Sequence, residues 1–149
     1  MGSINDDAIK NRINDCKRDI REYEDKISHL QKEIRSLEER LKGLEKLNST
    51  HKRVKDEFER FLSANKNEAK RLSVLSNRNR FAKEMSSGML DLSGGTDARR
   101  TVSRIEESVG VINKEISRVR EQIDENRRTI RLLNSNISKL EDKIRILNR

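Results

Sequence analysis

Apolar residues recur along the first third of the chain in steps of four and three: Ile9, Ile13, Cys16, Ile20, Tyr23, Ile27, Leu30, Ile34, Leu37, Leu41 and Leu44. Polar and charged residues fill the places between them. This spacing keeps the apolar set on one helical face and is the a/d pattern of a coiled-coil helix. With Ile13, Ile20, Ile27, Ile34 and Leu41 at a, the d positions fall on Cys16, Tyr23, Leu30, Leu37 and Leu44. The next apolar residue, Leu47, comes after a step of three where four is due. That irregularity reads as a stammer, which overwinds a coiled coil locally. Beyond it the stripe continues less regularly through Val54, Phe58, Phe61, Leu62, Ala69, Leu72 and Leu75.

A second stripe is cleaner. Val102, Ile105, Val109, Ile112, Ile116, Val119, Ile123, Asn126, Ile130, Leu133, Ile137, Leu140, Ile144 and Leu147 keep the rhythm, and only Asn126 interrupts its apolar character. A helix over about residues 97–148 is roughly 78 Å long. Between the stripes, "SSGMLDLSGGTDARR" places Gly94 and Gly95 side by side, and helices tolerate such a pair poorly. Thr96 or Asp97 then suits the cap of a following helix. The expectation is a single domain over 1–149, with helix one at about 5–85, a turn at about 86–96 and helix two at about 97–148. Its fold class is all-α, an elongated antiparallel helical hairpin with heptad (coiled-coil) packing. A turn centred near residue 90 sets Leu147 opposite roughly residue 33, so the heptads from Ile9 to Ile27 are expected to protrude as an unpaired apolar stripe.

Composition narrows the class. Of 149 residues, 32% are hydrophobic, 3% aromatic and 40% charged, with no proline. That rules out a large globular core, and the regular apolar spacing argues for long helices over disorder. The net charge of +8 is uneven. Residues 1–48 carry 11 bases and 11 acids, residues 49–96 carry 10 and 6, and residues 97–149 carry 13 and 9. Two readings stand: a basic excess directed at an acidic partner, or the solvated exterior of helices on which acids and bases alternate. The single cysteine, Cys16, excludes an internal disulfide framework. No stretch approaches the ~20 apolar residues of a membrane span. The segment "MGSINDDAIKNR" has no apolar core of a secretory signal, so the expected location is cytoplasmic.

The residues flanking the first stripe bear on self-pairing. In a parallel homodimer each g residue meets the e residue five positions on. Arg12 then faces Lys17, Asp19 faces Glu24 and Glu33 faces Glu38, all like charges. Lys26 with Gln31 is neutral, and only Arg40 with Glu45 attracts. The first helix therefore suits a different helix, in cis or in trans. The second stripe has largely neutral flanks (Ser108, Asn113, Gln122, Thr129, Asn134, Asn136), with Glu115 and Arg120 the one attractive pair. Asn126 at a d position either fixes register or is a tolerated polar defect, and the sequence leaves both open.

Catalytic equipment is missing from the pattern. His29 and His51 lie far apart, and His29 falls at an outward c position. Cys16 sits in the stripe, where a thiol behaves as a small hydrophobe. No Cys/His cluster has metal-ligand spacing, "SGG" lacks the lysine of a phosphate loop, and helical rods offer no substrate pocket. The expectation is no enzyme, no cofactor, no metal and no small-molecule substrate. "NRNRFAKEM" (Asn77–Met85) is the most basic-aromatic stretch, and Arg78, Arg80 and Lys83 around Phe81 suit nucleic acid. Phe81 and Met85 packing inward at i, i+4 is the preferred reading, with Met85, Met89, Leu90 and Leu92 closing the tip.

The order of segments resembles a known family. "KISHLQKEIRSLEERLKGLEKL" leads into the charged middle "HKRVKDEFERFL", and the chain closes with "INKEISRVREQI" and "LLNSNISKLEDKIRIL". This resembles the small helical proteins that partner LXG-domain toxins of the bacterial type VII secretion system, the YwqH-like group related to WXG-type hairpins. WXG-type proteins carry Trp-x-Gly at the turn; here Ser86-Ser87-Gly88 stands nearest and tryptophan is absent. The resemblance implies a targeting factor or chaperone that packs on the long helices of a cognate toxin, alongside a second small helical protein in some assemblies, with export alongside its partner. The seam residues expected to meet that partner are Ile13, Ile20, Tyr23, Ile27, Leu30, Ile34, Leu37 and Leu41, with Ile116, Ile123, Asn126, Ile130, Leu133 and Ile137. The tip adds Phe81, Met85, Met89 and Leu90. Two alternatives remain at this level: a self-associating structural or tethering coiled coil, and a nucleic-acid-binding hairpin using Arg78, Arg80, Arg99, Arg100 and Arg104.

Overall fold

A computed structural model describes residues 2–75 and 79–149, and no strand occurs among them. The chain is all-α. Helix α1 spans Gly2–Leu75, α2 spans Arg80–Gly94 and α3 spans Thr96–Leu147. None is long and apolar enough to cross a membrane among the described residues. Contacts divide the chain into two compact units, one of residues 1–41 with 118–149 and one of residues 42–117.

In the first unit the apolar stripes of α1 and α3 cover one another. Ile27, Leu133 and Ile137 form a buried cluster, and Ile20, Tyr23, Leu30 and Ile130 pack against it. Burying such a side chain contributes about 1.5–3 kcal/mol. Cys16, Ile34, Val119 and Ile123 are also buried. At the rim, Arg127 Nη2 donates to Glu38 Oε1 at 3.0 Å. The Lys26 ammonium lies 5.8 Å from the centroid of the Tyr23 ring. Cys16 is a free thiol.

The stretch from Ile9 to Ile27, expected to protrude, is therefore not an unpaired stripe. Ile27 lies against Leu133 and Ile137, and Cys16 is only 4% exposed. The error came from the position of the turn. Helix α1 ends at Leu75, within the span assigned to helix one, and most of the span assigned to the turn lies inside α2. Asn79 starts α2: its backbone is extended and its side-chain Oδ1 accepts from the amides of Phe81 at 2.9 Å and Ala82 at 3.4 Å. Asparagine is among the best residues at this place because its side chain satisfies amides that lack intrahelical partners.

In the second unit, partners on α1 and on the returning helices run in opposite chain directions. Asn48 Nδ2 donates to Asn113 Oδ1 at 3.0 Å, and Lys55 Nζ lies 3.1 Å from Glu106 Oε1. Further along α1, the Ser86 hydroxyl of α2 donates to the Ala69 carbonyl oxygen at 2.7 Å. Gly95 separates α2 from α3 with an extended backbone, φ −77° and ψ 173°. A Cβ there would lie 2.3 Å from the Asp91 carbonyl oxygen, so the break needs glycine. The glycine pair thus marks a one-residue interruption between two helices.

The expected stammer at Leu47 is not present in the pattern of burial. Shielded or half-shielded positions continue as Leu44, Asn48, His51, Lys55, Phe58, Leu62, Asn65, Ala69 and Leu72, an unbroken alternation of four and three. On α3, Ala98, Val102, Ile105, Val109, Ile112 and Ile116 are likewise shielded or half-shielded. Three of the polar residues drawn into the α1 stripe have partners, Asn48 Nδ2 with Asn113, Lys55 with Glu106, and the His51 ring Nδ1 with the Leu47 carbonyl oxygen at 3.0 Å, while Asn48 Oδ1 is buried without one. A satisfied polar group costs far less to cover than an orphaned one.

Candidate partner-binding surface

The seam residues expected to meet a partner are turned toward other parts of the same chain. Ile27, Leu133 and Ile137 touch one another, and Ile34, Ile116, Ile123 and Asn126 are buried. Ile13, Ile20, Tyr23, Leu30, Leu37, Leu41 and Ile130 are half-buried. Asn126 stands apart from the rest. It is only 5% exposed, its Oδ1 accepts from Gln122 Nε2 at 3.0 Å, and its Nδ2 has no hydrogen-bond partner.

Helix α2 reverses the expected packing of the tip. Its buried residues are Ala82, Ser86 and Ser93, while Phe81 is 68% exposed, Met85 42% and Leu92 63%. Leu90 is exposed as well, and Met89 is half-buried. The physical reason is the close approach that the Ser86–Ala69 bond records. Only small side chains fit between α2 and the α1 backbone, so Phe81 and Met85 are excluded from that side. Phe81, Met85, Met89 and Leu92 instead line a shared outer surface with Gly88 and Glu84.

Helix α1 of the second unit carries another exposed apolar line. Leu47, Val54, Phe61 and Leu75 are each 44–55% exposed. Each of the first three stands one residue before a shielded position (Asn48, Lys55, Leu62), so they share one flank of the stripe. Phe58, half-buried, stacks on Phe61 with ring centroids 6.4 Å apart. Beside Val54 a groove of about 340 Å³ opens between α1 and α3, lined also by Thr50, His51, Thr101, Arg104, Ile105 and Ser108. The opposite flank of the stripe is polar, with Lys55 bridging Glu106 and, at 3.8 Å, Glu59. The Lys55 ammonium is held above its ordinary pKa of 10.5, chiefly by its hydrogen bond and charge interaction with Glu106.

No group of three His, Cys, Asp or Glu side chains stands together as a metal site among the described residues. His29 is exposed and His51 is half-buried against its own helix. Of the basic cluster, Arg80 pairs with Glu84 at 3.4 Å and Arg99 and Arg100 are exposed. Asn77 and Arg78 lie outside the described residues. In the sequence Leu47, Val54 and Phe61 continue the stripe; in the structure they are exposed on its flank. Their spacing of seven, one residue ahead of Asn48, Lys55 and Leu62, was the signal of a separate line. No family model, curated protein or solved structure matches this chain.

Proposed function

We propose that this chain is a non-enzymatic helical binding partner that packs on another long-helical protein. In the setting implied by the resemblance, that protein is an LXG-type toxin, and the chain acts as a targeting factor or chaperone for type VII secretion. The hairpin with heptad packing is the scaffold in this reading. The observation that supports it is the exposure of large apolar side chains on helix faces whose own seam is already covered. Leu47, Val54 and Phe61 on α1, and Phe81, Met85 and Leu92 on α2, remain at the surface although Ile116, Val119 and Ile123 are buried within the chain. Contiguous exposed apolar surface marks interaction sites, and lines of it on helices suit helix-in-groove recognition.

Co-expression with the amino-terminal helical region of an LXG-type toxin tests the reading. The expected result is one stoichiometric complex that survives size-exclusion chromatography, with molar mass given by light scattering. Recovery of the chain and the toxin segment as separate species would remove the toxin assignment. A stable homodimer of the chain that covers the same apolar lines would instead favour a self-associating rod.

A further inference from the structure

We infer that two copies of this chain pair through one broad face of the second unit, about a two-fold axis parallel to α1. This goes beyond the binding role proposed above and leaves the outer surface of α2, with Phe81, Met85 and Leu92, uncovered for it.

The heptad count defines the face. With a at Ile27, Ile34 and Leu41, the same count puts a at Asn48, Lys55 and Leu62. The g position just before each a residue carries Asp19, Lys26, Glu33 and Arg40, and then Leu47, Val54 and Phe61. Charge gives way to apolar character at residue 47. A helix that is apolar at a, d and g serves two neighbours, as helices in a bundle do. Within the second unit the a and d positions from Asn48 to Leu62 are half-buried, whereas Leu47, Val54 and Phe61 stay exposed. Helix α3 adds Val111, which is 67% exposed, to the same side. Thr50 and Val54 share one groove with Arg104 and Ser108, and those two share the adjoining groove with Val111.

Charge and side-chain size decide the occupant. Asn48 pairs with Asn113 and Lys55 with Glu106, so each step up α1 is matched by a step down α3. By that count Thr50 stands level with Val111, Glu57 with Arg104 and Ala64 with Asp97. Thr50, Glu57 and Ala64 recur every seven residues along α1, as Asp97, Arg104 and Val111 do along α3, and all six are exposed. A two-fold axis parallel to the helices lays α1 of one copy over α3 of the other without changing any level. Glu57 then meets Arg104 of the second copy, and the symmetry makes this pair twice. Val111 meets the smaller Thr50, and Asp97 meets Ala64. The Leu47, Val54 and Phe61 side chains of both copies turn toward the axis, where the small Thr101 and Ser108 leave them room. The Arg53–Glu57 contact at 3.9 Å is well exposed on both sides and competes weakly with the new pair.

Other occupants fit less well. Turning the second copy end for end about Val54 lays α1 on α1, which sets Glu57 near Thr50 and Arg104 near Val111 and leaves both charges unpaired. Nucleic acid, an anionic membrane or an acidic helix would each meet Glu57 in the middle of the face, between Val54 and Phe61.

Sedimentation equilibrium of the full chain tests the pairing. The expected species has twice the mass of the chain. V54E with F61E should give a monomer of unchanged helix content by circular dichroism, since both side chains are already at the surface. E57R or R104E alone should weaken the dimer about tenfold, because two exposed ion pairs become repulsive. The two changes together should restore it. In a C16A background, chains carrying E57C mixed with chains carrying R104C should form a disulfide between copies under mild oxidation, while E57C chains alone should not.

A chain that stays monomeric at every concentration overturns the inference, whatever other helix the face then takes up. So does a dimer that survives V54E with F61E, or one that E57R with R104E fails to restore. F81S with L92S should leave the dimer intact, and its loss there would move the contact to α2 instead. If no dimer forms but a toxin complex does, this inference fails and the binding role stands. A dimer with the stated cross-links and no toxin complex supports the pairing and removes the toxin assignment.

Discussion

The Ser86 hydroxyl donates to the Ala69 carbonyl oxygen across 2.7 Å, joining a side chain of α2 to the backbone of α1. The bond holds α2 close against α1, and that close approach is why α2 buries small residues and exposes large ones. Replacing Ser86 by Leu forces the two helices apart. The expected cost is about 1–3 kcal/mol from overpacking, measured as a lower midpoint in urea with circular dichroism. A turn at residues 86–96 would have left this substitution nearly silent.

Gly95 and Gly88 should respond in opposite directions to the same change. A Cβ at Gly95 meets the Asp91 carbonyl oxygen at 2.3 Å, whereas one at Gly88 meets nothing within 4 Å. Gly95→Ala is expected to destabilise by about 1–3 kcal/mol. Gly88→Ala is expected to stabilise α2 by about 0.5–1 kcal/mol through its higher helix propensity. Paired thermal melts distinguish the two.

Asn126 carries a buried Nδ2 without a hydrogen-bond partner in an otherwise apolar stripe. Asn126→Leu removes that group and is expected to raise stability by about 1–3 kcal/mol. If Asn126 also fixes register, the gain comes with loss of a single species. Sedimentation and the dispersion of amide NMR signals then report mixed pairings, the usual penalty for deleting a polar seam residue.

The Lys55–Glu106 contact predicts a pH dependence with a definite sign. The folded-state pKa of Lys55 is raised above 10.5, with Glu106 the main cause. A raised lysine pKa means that the folded chain holds the proton more tightly than the unfolded one. The stabilisation is therefore complete below the unfolded value and is lost as pH rises through the folded one. Glu106→Gln should lower the Lys55 pKa, seen by titrating its side-chain carbon signals. The stability gap between wild type and variant should hold at neutral pH and narrow as the pH rises into the strongly alkaline range.

The helical class was legible because two stripes of apolar residues keep a period that only a helix can use. The regular stripe from Val102 to Leu147 located α3 to within a few residues. The middle of α1 was harder to read. There the half-buried positions include Asn48, His51, Lys55 and Asn65, while Leu47, Val54 and Phe61 lie beside them, so hydrophobicity alone leads off the true stripe. Polar residues enter a seam when a partner is within reach, and Asn113 and Glu106 are more than fifty residues away in sequence. The start of α2 was missed for a smaller reason. Asn79 sits among charged residues in "NRNRF", where its capping role competes with a continuous-helix reading, and the Gly94–Gly95 pair gave a stronger but misplaced stop signal.

Those four polar residues also set the order in which the molecule breathes. A stripe built on Asn48, His51, Lys55 and Asn65 gains little from excluding water, whereas one built on Ile20, Ile27, Leu30 and Ile34 gains much. Local opening is cheapest where buried apolar contact is thinnest. Backbone amides around residues 48–65 should therefore exchange with deuterium well before those around 20–34. The same segment presents the Leu47–Val54–Phe61 line, so a bound helix would be registered first as slowed exchange in the part of α1 that otherwise opens most readily.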